Sequence, residues 1–370
     1  MQIHIGVDVG GTFTDLAVSI PDENRQIRHK LPSTPDRPDA AIIEGIAAVL
    51  EEHGLDAGNV VRLSHGTTVG TNALIQRRVG KVAIITNEGF RDLLEIGRQV
   101  RPQVYDIHLD FPKPLVPRKL RLEVRGRRRA DGSVHVPLDE EGVRETGRRL
   151  AAEGVDCVAV CFLHSYAYPE DEARAVEILR EVLPDGVYVQ SSTEVYPEFR
   201  EYERFSTAVL NGALLTVVDA YLDRFTAAVS QLGVSAEPKI SQSSGGVMSV
   251  HMTRKLPIRA SLSGPAAGVI GTAHRAPAAG FGNVITLDVG GTSADVSVLI
   301  DGEATEVHNR MLAGFPLRLP ALDVNAVGAG GGSIAWIDVD GLLKVGPQSA
   351  GAHPGPACYG LGGTEATLTD

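Results

Sequence analysis

The chain contains few cysteines, few aromatic residues and no long apolar run. Its 370 residues include 3 cysteines, 1 tryptophan and 5% aromatic residues in total. Scattered cysteines in this number do not form a disulfide framework, which favours a reducing compartment. A membrane-spanning helix needs a run of about eighteen or more apolar residues, and a signal peptide needs a basic segment followed by an apolar one. The sequence shows neither pattern and therefore predicts a soluble, cytoplasmic protein without a membrane anchor.

An excess of positive charge is also missing. The formal net charge is −11, whereas a nucleic-acid surface needs clustered Lys and Arg. We therefore expect a small-molecule or protein partner and no nucleic acid. Glycine and proline are abundant instead, with 41 and 21 residues. This composition favours an α/β fold with many tight turns, and the length suits two domains.

One segment occurs twice, 280 residues apart. Residues 5–18 read IGVDVGGTFTDLAV and residues 285–298 read ITLDVGGTSADVSV, with eight of fourteen positions identical. Apolar residues alternate with polar or small ones before and after the two glycines, which is the period of half-buried strands. Each copy is predicted to be a β-hairpin whose aspartates face away from the core.

The turn of each copy carries residues suited to phosphate and magnesium. Paired glycines let a backbone approach a ligand closely, and their N–H groups can cradle phosphate oxygens. An aspartate at the strand end can hold a magnesium ion through water, because magnesium prefers oxygen ligands and keeps much of its hydration shell. The predicted residues of the two turns are Asp8, Gly10, Gly11 and Thr12, and Asp288, Gly290, Gly291 and Thr292.

Paired D-x-G-G-T hairpins resemble the phosphate loops of the actin-like ATPase superfamily. The resemblance implies two ribonuclease-H-like α/β domains with mixed sheets around a nucleotide cleft, the second domain being incomplete. It implies that Asp8 and Asp288 are catalytic and organise magnesium, while the turns clamp ATP from opposite sides. Thr14, Asp15 and Asp295, which adjoin the turns, complete the predicted nucleotide site.

Four further stretches resemble the hydantoinase A / 5-oxoprolinase family, which includes ATP-handling subunits of acetone and acetophenone carboxylases. They are residues 64–75, 197–206, 261–273, and 323–333 with 346–360. His65 in the first stretch is either a catalytic or substrate-contact residue or a structural histidine at a strand end. Asp323 is a candidate for the substrate or metal region, its alternative being an exposed loop carboxylate. The glycines Gly330, Gly331 and Gly332 are predicted to bind an anion.

The family resemblance implies an ATP-dependent hydrolase subunit that phosphorylates the carbonyl of a cyclic amide, such as a hydantoin or 5-oxoproline, before ring opening. The alternatives are a ketone carboxylase subunit, a sugar or acid kinase, and a nucleotide-gated interaction protein. A large partner subunit of hydantoinase B type is expected, and a homo-oligomer is left open. Residues 1–198 and 199–370 are predicted as two domains. Family proteins run on to an adenosine-binding motif further downstream, so the chain is expected to be an N-terminal part.

Overall fold

The computed structural model describes residues 1–34, 37–100, 105, 112–291 and 293–370. Its strands are β1 (Ile3–Val9), β2 (Phe13–Ile20), β3 (Arg25–Pro32), β4 (Val60–Gly66), β5 (Val82–Asn87), β6 (Arg121–Val124), β7 (Arg127–Arg128), β8 (Val134–Val136), β9 (Cys157–Cys161), β10 (Tyr188–Ser191), β11 (Lys239–Ser241), β12 (Val247–Ser249), β13 (Val284–Val289), β14 (Ala294–Ile300), β15 (Glu303–Ala304), β16 (Glu306–Leu312), β17 (Phe315–Leu322), β18 (Asn325–Val327), β19 (Ser333–Ile337) and β20 (Leu343–Ser349). Its helices are α1 (Pro38–Glu52), α2 (Val69–Ile75), α3 (Leu93–Ile96), α4 (Glu140–Glu153), α5 (Glu170–Val182), α6 (Ser192–Val195), α7 (Glu201–Gln231), α8 (Val250–Lys255) and α9 (Ser263–Ala278).

The first predicted hairpin lies in the middle of a six-stranded mixed sheet. The strand order is β12-β11-β4-β1-β2-β3, with β1, β2 and β3 antiparallel and with β4 and β11 parallel to β1. The apolar residues of β1 and β2 point to one face, where α1 covers them and α7 packs against α1. The polar residues point to the opposite face, as the alternation predicts.

Helix α7 joins the first sheet to a second sheet of order β10-β9-β5-β6. By length and composition alone it is apolar enough to cross a membrane, but 78% of its most apolar window is buried inside the protein. The helix therefore serves here as a core element. Helix α7 lacks the one-sided apolar stripe of an amphipathic surface helix, because protein covers more than one of its faces.

The division predicted between residues 198 and 199 does not separate two sheets. After α7 the chain returns to the first sheet, because β11 pairs with β4 through Lys239 and Ser64. The sheet of the second hairpin begins only after α9, with β13 and β14. Strand β11 has three residues, too short a segment for its pairing partner to be predicted from periodicity.

The second hairpin forms as predicted, but its apolar face is not buried. Strands β13 and β14 pair antiparallel in the same register as β1 and β2. Ile5 is 2% exposed, whereas Ile285, the equivalent residue of the second copy, is 71% exposed. Within the part of the chain that the structure describes, no helix equivalent to α1 covers this face. The exposed apolar side chains are those of Ile285, Leu287, Val289, Val298 and Ile300.

Candidate functional site

The turn of the first hairpin is closed by its own backbone and by one serine. Gly10 N–H donates to the Phe13 carbonyl at 3.0 Å. Ser33, which follows β3, donates its hydroxyl to the Gly10 carbonyl at 2.9 Å and its N–H to the Thr12 carbonyl at 2.9 Å. Gly11 stands at the tip, where an added Cβ would meet no atom within 4 Å. The turn is therefore fixed from the side of β3 and open at its tip.

The carboxylate of Asp8 lies in a narrow space behind this turn. An added Cβ at Gly66 or at Gly264 would stand 2.8 Å from Asp8 Oδ1, so both backbones approach the carboxylate as only glycine allows. Although solvent reaches Asp8, the surrounding protein removes much of its hydration, and Asp288 and Asp15 add negative charge. These causes, desolvation first, raise the pKa of Asp8 to about 6.

The second hairpin repeats the arrangement. Asp288 is opposite Asp295 in the register, as Asp8 is opposite Asp15, and Gly290 N–H donates to the Ser293 carbonyl at 2.9 Å. Desolvation and the charge of Asp288 raise the pKa of Asp295, while an arginine of β16 opposes the shift.

The predicted glycine loop holds the second turn. Gly331 N–H donates to the Gly290 carbonyl at 2.9 Å, and Gly332 N–H donates to the Gly291 carbonyl at 2.7 Å. Gly330 N–H donates to the hydroxyl of the serine that begins β19, at 2.9 Å. The N–H groups of Gly331 and Gly332 therefore fix the turn, and that of Gly330 closes the loop itself, which supports a positioning role for the loop.

The two turns face each other. The side chain of Thr12 contacts Gly291 so closely that an added Cβ there would overlap Thr12 Oγ1. Thr12 is 7% exposed because the second turn covers it. The negative charge of Asp288 also raises the pKa of the Asp8 carboxyl group. The structure thus brings Asp8, Asp15 and Asp288 to one cleft between the hairpins.

His65 lies outside this cleft. Its side chain is 0% exposed, shares a hydrogen bond with the Tyr221 hydroxyl and packs against Phe225 at 5.2 Å between ring centroids. Burial lowers the pKa of His65 to about 3, so the ring is neutral. Because strand residues alternate, His65 points to the core while the next residue, Gly66, adjoins Asp8. This placement supports the structural interpretation of His65.

Two other predicted residues, Thr14 and Asp323, have different positions. Thr14 is 0% exposed and its hydroxyl is 2.9 Å from that of Ser33, so it stabilises the hairpin from the core side. Asp323 is half-buried after β17, and its backbone carbonyl accepts from Ser297 Oγ of β14 at 2.7 Å. Asp323 therefore contacts the second hairpin through its main chain. Thr292 lies outside the described residues.

Residues of β3 complete the first half of the cleft, and the sequence patterns missed them. Lys30 is opposite Asp15, and its ammonium binds both carboxylate oxygens at 2.8 Å. Lys30 also lies 4.9 Å from the centroid of the Phe13 ring. The sequence patterns predicted only the two strands of the first hairpin, and a third strand paired with β2 would have set Lys30 beside Asp15.

The acidic residues suit a hydrated cation better than a closed metal site. Within residues 1–34, 37–100, 105, 112–291 and 293–370, no group of three or more His, Cys, Asp or Glu side chains has the geometry of a metal centre. Magnesium usually keeps several waters and takes one or two carboxylates together with phosphate oxygens. At Asp8, desolvation raises the pKa most, the negative charges of Asp288 and Asp15 raise it further, and Lys30 opposes the shift. Asp8 and Asp288 thus fit a magnesium ion bound with phosphates.

The mixed sheet and the two facing hairpins define the actin-like ATPase fold. The chain belongs to the hydantoinase/oxoprolinase family. Residues 4–183 match the family model described as "Hydantoinase/oxoprolinase N-terminal region", and residues 204–370 match the one described as "Hydantoinase/oxoprolinase".

Similar proteins include enzymes that act on cyclic amides and on a ketone. The caprolactamase subunit alpha of Pseudomonas jessenii is 38% identical over 100% of this chain and 54% of its own length. The 5-oxoprolinase 1 of Arabidopsis thaliana is 34% identical over 100% of this chain and 31% of its own length.

The crystal structure of the ATP-dependent caprolactamase superposes with a TM-score of 0.86 at 37% identity, covering 99% of this chain and 54% of that one. A nucleotide-free acetone carboxylase superposes with a TM-score of 0.84 at 29% identity, with the same coverage of 99% and 54%. The chain thus spans about half the length, or less, of these relatives.

Proposed function

We propose that this chain is the nucleotide-handling part of an ATP-dependent hydrolase that phosphorylates the carbonyl oxygen of a cyclic amide before the ring opens. The observation that carries the proposal is the cleft between the two hairpins, where Thr12 meets Gly291 and three carboxylates converge. Two glycine turns with an acidic centre can hold a triphosphate and its magnesium from both sides. The similarity to caprolactamase and 5-oxoprolinase supports the choice of a cyclic amide.

The chemistry explains why ATP is needed. An amide carbon is a poor electrophile, and transfer of the γ-phosphoryl group to its oxygen makes the carbon open to water while ADP leaves. Water then adds to the carbon and the C–N bond breaks, which leaves the amine and an acyl phosphate. A second water cleaves the acyl phosphate into the ring-opened carboxylate and inorganic phosphate. The role of Asp8 and Asp288 is to hold magnesium and thereby place the phosphoryl group, since phosphoryl transfer depends mainly on positioning and charge stabilisation.

Further parts of the proposal concern the assembly. A large second subunit of hydantoinase B type would complete the reaction, in line with the separate subunit named for the caprolactamase relative. We also propose that the protein is cytoplasmic and that the two hairpins, the first within residues 1–198 and the second within residues 199–370, act as the two halves of the cleft. The apolar face of the second hairpin is consistent with a need for further protein beside it.

An ADP-release assay tests the proposal. Magnesium and ATP would be supplied to the chain, alone and with its co-encoded large subunit, together with 5-oxoproline, hydantoin or caprolactam. We expect at least one cyclic amide to stimulate ADP formation, and Asp8→Asn or Asp288→Asn to reduce it by about 100-fold or more. Asp185→Asn is the matched control, because Asp185 is an exposed aspartate at the far end of α5. Undiminished stimulation in both cleft variants would refute the site.

A ketone carboxylase is the second candidate. The superposition with acetone carboxylase, at a TM-score of 0.84, favours it. The two functions differ in their products. Acetone with bicarbonate would give a carboxylated ketone, whereas a cyclic amide would give an amino acid or ureido acid. Product analysis by mass spectrometry in the same assay separates them.

A further inference from the structure

A cavity of about 530 Å³ lies beside Asp8 on the cleft face of the first sheet. This volume is within the range of small-molecule sites, about 300–1,000 Å³. Its floor consists of two rows of residues paired across neighbouring strands, and paired residues point to the same face. The row nearer the turn is Gly66, Asp8, Asp15 and Lys30, and the row behind it is Ser64, Gly6, Ala17 and Arg28.

The second row makes the cavity because its central side chains are small. Gly6 and Ala17 project little from the sheet, and an added Cβ at Gly6 would still be 3.9 Å from the nearest atom beyond its chain neighbours, the Ala17 carbonyl oxygen. The second hairpin shows the alternative. At the equivalent positions it carries Thr286 and Ser297, and the Thr286 hydroxyl accepts from the Ser297 N–H at 3.0 Å. The two copies therefore share their carboxylates and differ in the row behind them.

One cation in this cavity is available to a ligand. Lys30 is engaged by both oxygens of Asp15 at 2.8 Å, so its charge is balanced. Arg28 lines the same cavity and is exposed, and among the described residues it has no hydrogen bond or ion pair. An arginine presents a planar fork that matches a carboxylate with two parallel hydrogen bonds.

We propose that Arg28 determines specificity by binding an anionic group of the substrate, so that the enzyme prefers a cyclic amide that carries a carboxylate to a neutral one. This inference rests on the proposed function. The two rows are two residues apart along the strands, about 7 Å. Arg28 belongs to β3 and Asp8 to β1, so about 10 Å across the sheet adds to this separation. The long side chain of Arg28 shortens the gap, so that a single ring with its carboxylate at the guanidinium has its carbonyl on the side of Asp8 and the phosphate turns. The small residues Gly6 and Ala17 make room for the ring.

The sharpest test compares 5-oxoproline with 2-pyrrolidone, which is the same ring without the carboxylate. We expect 5-oxoproline to bind the chain in a calorimetric titration and to stimulate ADP formation at a KM about 10- to 100-fold below that of 2-pyrrolidone. Arg28→Gln should raise the KM for 5-oxoproline by about the same factor, leave kcat nearly unchanged and leave 2-pyrrolidone unaffected. Arg28→Lys should restore part of the preference, because it restores the charge without the fork.

Arg25→Gln is the matched control, because Arg25 belongs to the same strand but pairs with His53 and Glu23 outside the cavity. Equal KM values for the two rings, or an equal effect of Arg28→Gln on both, would overturn the role of Arg28 while leaving the hydrolase intact. If no cyclic amide stimulates ADP formation in any variant, the proposed function fails and this inference fails with it.

Discussion

The carboxylate of Asp8 should destabilise the folded chain in the absence of ligand. Its pKa in the folded protein is about 6, against 3.8 for an ordinary aspartate. A rise of about two pKa units corresponds to about 3 kcal/mol in a site without solvent. Because solvent reaches the Asp8 side chain and screens its charge, we expect a cost of about 1 kcal/mol.

The pH dependence of this cost has a definite sign. The folded state binds the Asp8 proton more tightly than the unfolded state, so the free energy of unfolding falls as the pH rises from about 4 to about 6. The cost is absent below this window and complete above it. Asp8→Asn keeps the shape of the side chain and removes its charge. The variant should therefore be more stable than the wild type at pH 8 and equally stable at pH 4.

Urea unfolding at pH 4, 6 and 8, without magnesium or nucleotide, measures this difference. We expect Asp8→Asn to gain about 1 kcal/mol at pH 8, and Asp185→Asn, the exposed control, to gain nothing at any pH. Millimolar magnesium with ADP should then stabilise the wild type and not Asp8→Asn, since a ligand stabilises the state that binds it. A gain that is the same at pH 4 and pH 8, or a loss at pH 8, would refute the electrostatic reasoning.

Three further predictions follow from named contacts. Ile5→Ala should cost about 2–4 kcal/mol because the Ile5 side chain is 2% exposed, whereas Ile285→Ala should cost less than about 1 kcal/mol because the Ile285 side chain is 71% exposed. Equal shifts of the urea midpoint would contradict this prediction. Gly264→Ala should weaken nucleotide binding in a titration with little change in helix content, because the Cβ of the new alanine would stand 2.8 Å from Asp8 Oδ1. Unchanged affinity would show that the Asp8 side chain moves freely. Glu172→Gln should cost about 2–4 kcal/mol in urea unfolding, because the buried Arg204 would lose the counter-charge of Glu172, which accepts from the Ser165 and Ser192 hydroxyls at 2.7 Å. A neutral effect would mean that these hydroxyls suffice to stabilise the arginine.

Local patterns were sufficient to predict the two hairpins. The alternation around Asp8 and Asp288 and the glycines that follow them specify two strands and a tight turn, and both hairpins form in equivalent registers. The actin-like fold could be predicted because the two hairpins together resemble the phosphate loops of that superfamily. The return of β11 to the first sheet could not, because it depends on contacts between residues that α7 separates in the chain.

Periodicity also has a limit within a strand. Periodicity predicts which face of the sheet a residue occupies, but not whether another element covers that face. The same alternation in residues 5–18 and 285–298 gives a buried apolar face in one copy and an exposed one in the other. For His65, the motif placed the residue at a strand end, whereas its role depends on which face it occupies, and that face packs on Tyr221.

The comparison of the two copies separates the parts of the cleft by function. Asp8 and Asp288 are identical in type and face each other, which suits a symmetric pair of contacts to one phosphate chain and its cation. The row behind them differs, because Gly6 in the first copy is replaced by a threonine whose hydroxyl is used within the second hairpin. Among the described residues, the cavity that adjoins Asp8 lies on the side of the first hairpin. That side is also where β3 brings Arg28, a residue of no motif, so substrate choice in this cleft depends on a strand that the repeat does not contain.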